Sequence, residues 1–557
     1  MKKIFCIVFL FIAVSWGSPL ISQISEGGVP PSFAHSELSS YFQEIAITVP
    51  TPDELYEDVN YNDKINLPHR IAKLLPLDLN LENSGTWKTL GNGDRIWRLG
   101  LYAENALSLG LYFNDFYLPK GYKLFIYDTE GKQVKGAFTS LNNQESHLFA
   151  TESIRGDYLI IELFQPENIL EKPILSISDI AYSYKNEENL NGFGGSDDCE
   201  INAVCSPEGD GWQTVKRSVV KIRVRVGGGN YWCSGVLLNN ANYDKTPYVL
   251  TADHCAYKGG YASPEDVNQW LFYFNYESAT CANPTSEPQY VSLEGAHKIA
   301  NGGDHGNSGS DFYLVRLNDD IPESIQPYYS GWTASGISSP SGAGIHHPEG
   351  DIKKISTYVT PLISSQWSNN GVYSHWKVVW AETPNGWGVT EGGSSGSPLF
   401  DEQGRVVGTL TGGYAACDPN GQIGPDKPDF YGAFSYHWES NGTADTLQLK
   451  PWLDPGNTGI TELNGFVGIP ESPEGANNLF DVYPNPVDEK LIIRFNNFDY
   501  STVRIEIFNI FGKNLFTSEQ RIITTELAID TKSFKPGIYF VKIRNQQQGF
   551  VERIIKK

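Results

Sequence analysis

Apolar and polar residues alternate in short runs along most of the chain, a period of two that predicts half-buried strands rather than helices. Residues 106–112, 123–127 and 157–163 are such runs, with turn residues such as Gly131 and Gly156 between them, and they predict a β-sandwich within residues 23–185. Near the other end, residues 491–495, 503–508 and 538–543 repeat the pattern, with turns at 509–513 and 535–537. They predict a smaller, Ig-like β-sandwich over residues 478–557, ending in a basic tail that starts at Arg553.

Two polar stretches interrupt the alternation: residues 186–198, rich in Gly and Asn, and residues 469–477, rich in Pro, Glu, Gly and Ser. Both are expected to be exposed linkers, the second within 466–477, and they set off a central region at 186–465. At the start, Lys2 and Lys3 precede an apolar run over residues 4–16 and the small residues Gly17 and Ser18, which reads as a secretory signal over residues 1–22. That run is shorter than the ~20 residues that cross a bilayer, and no later segment reaches that length, so no membrane span is expected.

Composition refines this picture in three places. A length of 557 residues is several times the usual domain of ~100 to 200, which calls for about three domains. The formal charge of −23 argues against nucleic acid as a partner, because phosphate recognition needs a basic face. An acidic surface instead suits basic polypeptide substrates, or simply keeps an exported protein in solution. Of the seven cysteines, Cys6 leaves with the signal, and the rest lie between Cys199 and Cys417, an even number that reads as disulfides formed in an oxidising compartment. Zinc is the competing reading, but no Cys-x-x-Cys or His-Glu-x-x-His occurs, so no metal is expected.

The central region carries the chemistry. Residues 248–255, Tyr-Val-Leu-Thr-Ala-Asp-His-Cys, end an apolar, β-branched run in His254, beside Cys255. A histidine at a strand end can be presented to a cleft as a general base. Asp311 heads the apolar run 312–317, where a buried carboxylate could hold the imidazole tautomer, although a strand-initial Asp is more often a turn residue. In Gly392-Gly393-Ser394-Ser395-Gly396-Ser397-Pro398 the glycines allow the sharp turn that exposes a hydroxyl, and they aim the N–H groups of Gly393 and Ser395 at a developing oxyanion. The same residues fit the nucleophile elbow of α/β-hydrolases with Ser394 as nucleophile, but that fold needs its Asp and His after the serine. The order here is His, Asp, Ser in β-rich sequence, which selects Ser395.

The stretch from about Cys199 to Gly465 resembles the bacterial lysyl endopeptidases, a branch of the trypsin-like serine proteases. The resemblance is carried by the motifs at 204–211, 250–255, 310–312, 345–348, 388–391, 393–398 and 452–455. It implies an all-β, chymotrypsin-like double β-barrel, a His254, Asp311, Ser395 triad and cleavage after lysine, or lysine and arginine, with no cofactor. It also implies the pairings Cys199–Cys417, Cys205–Cys281 and Cys233–Cys255. The family's pocket acid falls on Asp429, with Asp426 as the runner-up, behind a wall formed by Thr411, Gly412 and Gly413. Trp367 matches a tryptophan that the family places beside its catalytic histidine, whereas Thr411 stands where the best-known members carry a histidine. The N-terminal sandwich resembles the family's propeptide, which implies a zymogen, with self-cleavage after Lys185 as the expected activation. The C-terminal sandwich resembles the sorting domain of type IX secretion substrates, so the partners expected are protein substrates and the secretion machinery, and the location secreted or cell-surface. The competing function is a catalytically inactive, protease-like surface adhesin.

Overall fold

Alternation of the kind seen in the sequence becomes a mostly β structure. The computed structural model describes residues 23–35, 38, 41–55, 70–184, 192–368, 371–419, 422–467, 480–484, 487–495, 502–509, 514–521, 526–535, 537–544 and 549–556. The signal at 1–22, Lys185, the first linker over 186–191 and the second over 469–477 lie outside the described residues.

The N-terminal unit is a sandwich of two sheets. In one, Arg95–Tyr102 pairs with Tyr158–Gln165, which pairs with Lys123–Tyr127. In the other, Ile174–Ser183 lies between Arg70–Asn80 and Ser108–Tyr117. Leu99, Leu101, Leu109, Leu111, Leu124 and Ile161 fill the space between them, fully buried, and each such side chain contributes about 2 kcal/mol by leaving water.

In the central region the strands close into rings. Val219–Val226 pairs with Gly229–Leu238 on one side and Leu271–Phe274 on the other. Gly229–Leu238 continues to Tyr248–Thr251, then to Tyr313–Leu317 and Ala296–Asn301. Val291–Glu294, joined to that last strand through Gly295, returns to Leu271–Phe274 and completes the barrel. The bend at Gly295 needs φ +82°, and a side chain there would strike the Asn268 carbonyl, so glycine is required. A second barrel runs from Lys354–Tyr358 through Gly342–His346, Pro398–Asp401, Val406–Gly413 and Pro428–Ala433 to His375–Val379. It closes where Ala381 N–H donates to Thr357 O at 2.8 Å. Val219, Val236 and Leu250 of the first barrel and Ala343, Ile345 and Phe400 of the second form one apolar cluster, which fixes the two against each other and sets the cleft between them.

The N-terminal sandwich is continuous with the first barrel. Strand Arg70–Asn80 pairs antiparallel with Gly229–Leu238, Gly229 opposite Lys73 and Tyr231 opposite Arg70. Around this seam, Arg223 Nη2 donates to Thr151 O at 2.7 Å, Gln269 Nε2 to Phe113 O at 2.9 Å and Tyr112 Oη to Asn230 Oδ1 at 2.8 Å. The C-terminal unit has one sheet of Phe480–Tyr483, Lys490–Phe495 and Glu526–Asp530. Its second sheet is ordered Asn514–Arg521, Thr502–Asn509, Gly537–Arg544 and Gly549–Lys556, and Leu491, Ile493, Ile505 and Val541 are buried between the two.

Of the first linker, Gly194, Asp197 and Asp198 are exposed as expected, but its described part is docked. Residues 192–198 are not a free linker but lie along the second barrel: Gly194 N–H and Ser196 Oγ each donate to the buried Asp351 at 2.7 Å, and Asp197 N–H donates to Glu391 at 3.1 Å. The small polar residues that suggested exposure are the donors that two carboxylates of the barrel require.

Candidate active site

The loop after Tyr248–Thr251 turns as a short 3-10 segment, Asp253–Ala256, and the Cys233–Cys255 disulfide ties it to the neighbouring strand. That turn brings His254 against Asp311, which stands just before Tyr313–Leu317. Asp311 Oδ1 accepts from His254 N–H at 3.0 Å, and Oδ2 lies 2.6 Å from His254 Nδ1. Burial alone would lower the His254 pKa, but the charge and hydrogen bond of Asp311 outweigh it and hold it above the ordinary value. For Asp311 burial pushes upward, and His254 prevails, keeping the carboxylate at about 2.

The glycine-rich loop crosses from the second barrel to this pair. Ser395 O accepts from Ser234 N–H at 2.8 Å and lies 3.7 Å from Cys255 Sγ, next to His254 in the chain. Among the described residues no hydrogen bond joins the Ser395 hydroxyl to His254, a separation common in unliganded sites. Ser394 is turned inward and fully buried, its hydroxyl accepting from Glu391 N–H at 3.1 Å and bonded to His346 Nδ1 at 2.8 Å. Ser395 is partly exposed, so of the two serines it is the one the cleft can reach. The N–H groups of Ser394, Gly396 and Ser397 are taken by Glu391 O, Leu410 O and Ser394 O. Among the described residues those of Gly393 and Ser395 have no protein acceptor, which leaves two donors side by side. Gly393 holds φ +84°, and a side chain there would meet the backbone of His347 and Gly350 at 2.9 Å.

Asp429 lies on Pro428–Ala433, opposite Gly413, and is fully buried. Its Oδ2 accepts from Trp380 Nε1 at 2.7 Å and Thr390 Oγ1 at 2.8 Å, and its Oδ1 from Ala415 N–H at 3.2 Å. Burial raises its pKa to about 6 against these lowering hydrogen bonds. Asp426 is exposed and paired with Lys427 at 3.0 Å. Gly412 and Gly413 continue Val406–Gly413 as the neighbouring wall, and Thr411 Oγ1 is bonded to His375 Nε2 at 3.0 Å. Trp367 stacks on that same His375 rather than on His254, with ring centroids 6.1 Å apart.

Sequence reasoning missed His375, and it missed Asp253, the buried carboxylate next to His254. Asp253 accepts from Asn301 Nδ2 at 2.6 Å and Tyr261 Oη at 2.8 Å, which fixes the turn that presents His254. The three cysteine pairs implied by the resemblance stand at bonding distance, with Cα separations of 5.5, 4.5 and 6.4 Å for Cys199–Cys417, Cys205–Cys281 and Cys233–Cys255.

Residues 193–432 match the family model of the lysyl endopeptidase C-terminal domain, and residues 481–557 that of the secretion system C-terminal sorting domain. A curated lysyl endopeptidase of Pseudomonas aeruginosa is 30% identical over 296 residues, covering 51% of this chain. The chain spans 61% of the length of that relative. Among solved structures, the protease Anisep from Arthrobacter nicotinovorans is 19% identical over 39% of this chain and 90% of its own, with a TM-score of 0.27. A Glu endopeptidase in complex with MPD is 17% identical over 44% of this chain and 95% of its own, with a TM-score of 0.26. The sorting domain marks the chain as one that is secreted or held at the cell surface. These matches make residues 193–432 similar to the lysyl endopeptidase C-terminal domain and residues 481–557 similar to a secretion system C-terminal sorting domain.

Proposed function

We propose that this chain is a serine endopeptidase that cuts polypeptides after lysine through an acyl-enzyme intermediate. The observation that carries the reading is the convergence of the partly exposed Ser395, the His254–Asp311 pair and the two unengaged N–H groups of Gly393 and Ser395 at one cleft. Ser395 Oγ attacks the peptide carbonyl while His254 takes its proton, and the carbonyl oxygen, now negative, is held by the Gly393 and Ser395 N–H groups. His254 then gives the proton to the departing amine, and water, activated by the same imidazole, releases the acid and restores Ser395. Asp311 holds the Nδ1–H tautomer and stabilises the imidazolium.

Asp429 supplies the specificity. Its buried carboxylate has three donors but no cation among the hydrogen bonds it accepts, so a lysine ammonium that reaches it completes the charge balance, and an uncharged side chain leaves it unmatched. The name of the Pseudomonas aeruginosa relative supports the same preference. The N-terminal sandwich acts as a propeptide, Lys185 is the activation site, and the C-terminal sandwich is read by the type IX secretion machinery.

The test is digestion of a protein mixture by the chain lacking residues 1–22, with cut sites read by mass spectrometry beside Ser395→Ala. Cuts confined to lysine and lost by roughly 10⁴-fold or more in the variant are expected. Cuts at lysine and arginine alike would widen the specificity. Absence of cleavage and of Ser395 labelling by a phosphonate, even after removal of residues up to Lys185, would replace the enzyme with the inactive adhesin.

A further inference from the structure

His375 is one of ten histidines and belongs to no motif of the sequence. It opens the strand His375–Val379, which pairs with Pro428–Ala433, itself paired with Val406–Gly413, and its side chain is 1% exposed. Ser374 Oγ donates to Gly309 O at 2.6 Å, so its lone pair is left to accept from His375 Nδ1–H at 2.8 Å. The bare Nε2 then accepts from the Thr411 hydroxyl at 3.0 Å. Burial holds the ring pKa down at about 4, in keeping with this neutral form.

The ring spans the distance between two parts of the site. At one edge it shares a gap with Asp311: a side chain added at Gly306 would stand 3.3 Å from Asp311 Cβ and from both Cε1 and Nε2 of His375. Gly306 has φ +80°, so this close approach depends on its lacking a side chain. On its face the ring stacks with Trp367 at an interplanar angle of 27°, and Trp367 packs on the backbone of Gly412, within 3.2 Å of where a side chain would start. Among the described residues the Asp311 carboxylate accepts only from the two His254 N–H groups.

We propose that His375 is a positioning residue, a neutral imidazole that keeps water from Asp311 and locks that carboxylate to the substrate wall at 411–413. The role rests on the serine endopeptidase reading above. A water admitted beside Asp311 would donate to it and weaken its hold on His254, and loss of the stack would free Trp367 and the wall. The remaining ionisable groups around the pair are Asp253 with His305, Tyr261 and Lys298 on the His254 side, and His437 behind Ser310 and Thr409. His437 is close to the ring: its Cε1 lies 2.8 Å from where a side chain would start at Gly432, the residue paired with His375.

The experiment compares His375→Ala, His375→Gln and Thr411→Val with the parent, in the chain lacking residues 1–22. The histidine ring signals are titrated by NMR, with His254 assigned through His254→Gln. In His375→Ala the His254 titration moves to lower pH, kcat falls by about tenfold to a hundredfold and KM rises. His375→Gln, which keeps a donor and an acceptor, recovers most of the loss, and Thr411→Val moves His254 in the same direction by less. An unmoved His254 titration with activity lost only in proportion to the unfolded fraction would make His375 a packing residue and overturn the proposal. The NMR titration needs no turnover, so it judges His375 separately, whereas absence of cleavage in the parent counts against the endopeptidase reading alone.

Discussion

Asp311 and Asp429 are both fully buried carboxylates a few strands apart, yet one is held at about 2 and the other raised to about 6. Burial acts on both in the same direction. The difference lies in the partners: Asp311 faces an imidazole that can carry a full charge, whereas Asp429 faces the indole of Trp380, the hydroxyl of Thr390 and a backbone N–H, all neutral. Neutral donors reduce the cost of burying a charge but do not cancel it. The first carboxylate is therefore matched by a group that can be charged, whereas the second, among the described residues, accepts from neutral donors alone.

Removing each charge should separate the two roles. Asp311→Asn, which leaves His254 without its charge and in the wrong tautomer, is expected to lower kcat by about 10⁴-fold with little change in KM, measured with a lysyl ester or amide. An effect confined to KM would place Asp311 in binding. Asp429→Asn should lower kcat/KM for lysyl substrates by roughly 10² to 10³-fold and leave hydrolysis of a small, uncharged active ester nearly unchanged. Equal losses on both substrates would remove Asp429 from specificity. The smallest effect sharpens the comparison further: if Asp429 recognises lysine as proposed, it protonates as pH falls through about 6, so KM for a lysyl substrate should rise below that pH. Trp380→Phe or Thr390→Val takes away a donor that lowers this pKa, and the rise in KM should begin at a higher pH, with about a tenfold change in KM near neutrality. A limb that stays in place would mean that another group governs it.

The proposed triad could be picked out because each member sits where the backbone is unusual and local: a strand end beside a cysteine, a strand head, a turn of glycines. Asp429 was proposed only through resemblance, since its loop offers Asp426 just as readily, and its burial against Trp380 and Thr390 is decided by strands distant in sequence. His375 was not legible at all. Its meeting with Thr411, Trp367 and Asp311 depends on the pairing of His375–Val379 with Pro428–Ala433, a long-range register that no local pattern announces. The same holds for strand Arg70–Asn80, whose alternation is broken at Pro76 and whose partners come from both the sandwich and the first barrel. That residues 192–198 are docked as well as partly exposed was not legible, because Gly and Ser suit a free linker and a docked one equally, and the docking depends on the carboxylates of Asp351 and Glu391.

The ladder between Arg70–Asn80 and Gly229–Leu238 means that the N-terminal unit and the first barrel share a seam of backbone hydrogen bonds. A nick at Lys185, the proposed activation site, would break one covalent bond and none of these. Scission and release would then be separate events, and how long the severed pieces stay together would be set by how slowly that seam unzips, not by how quickly the peptide bond is cut.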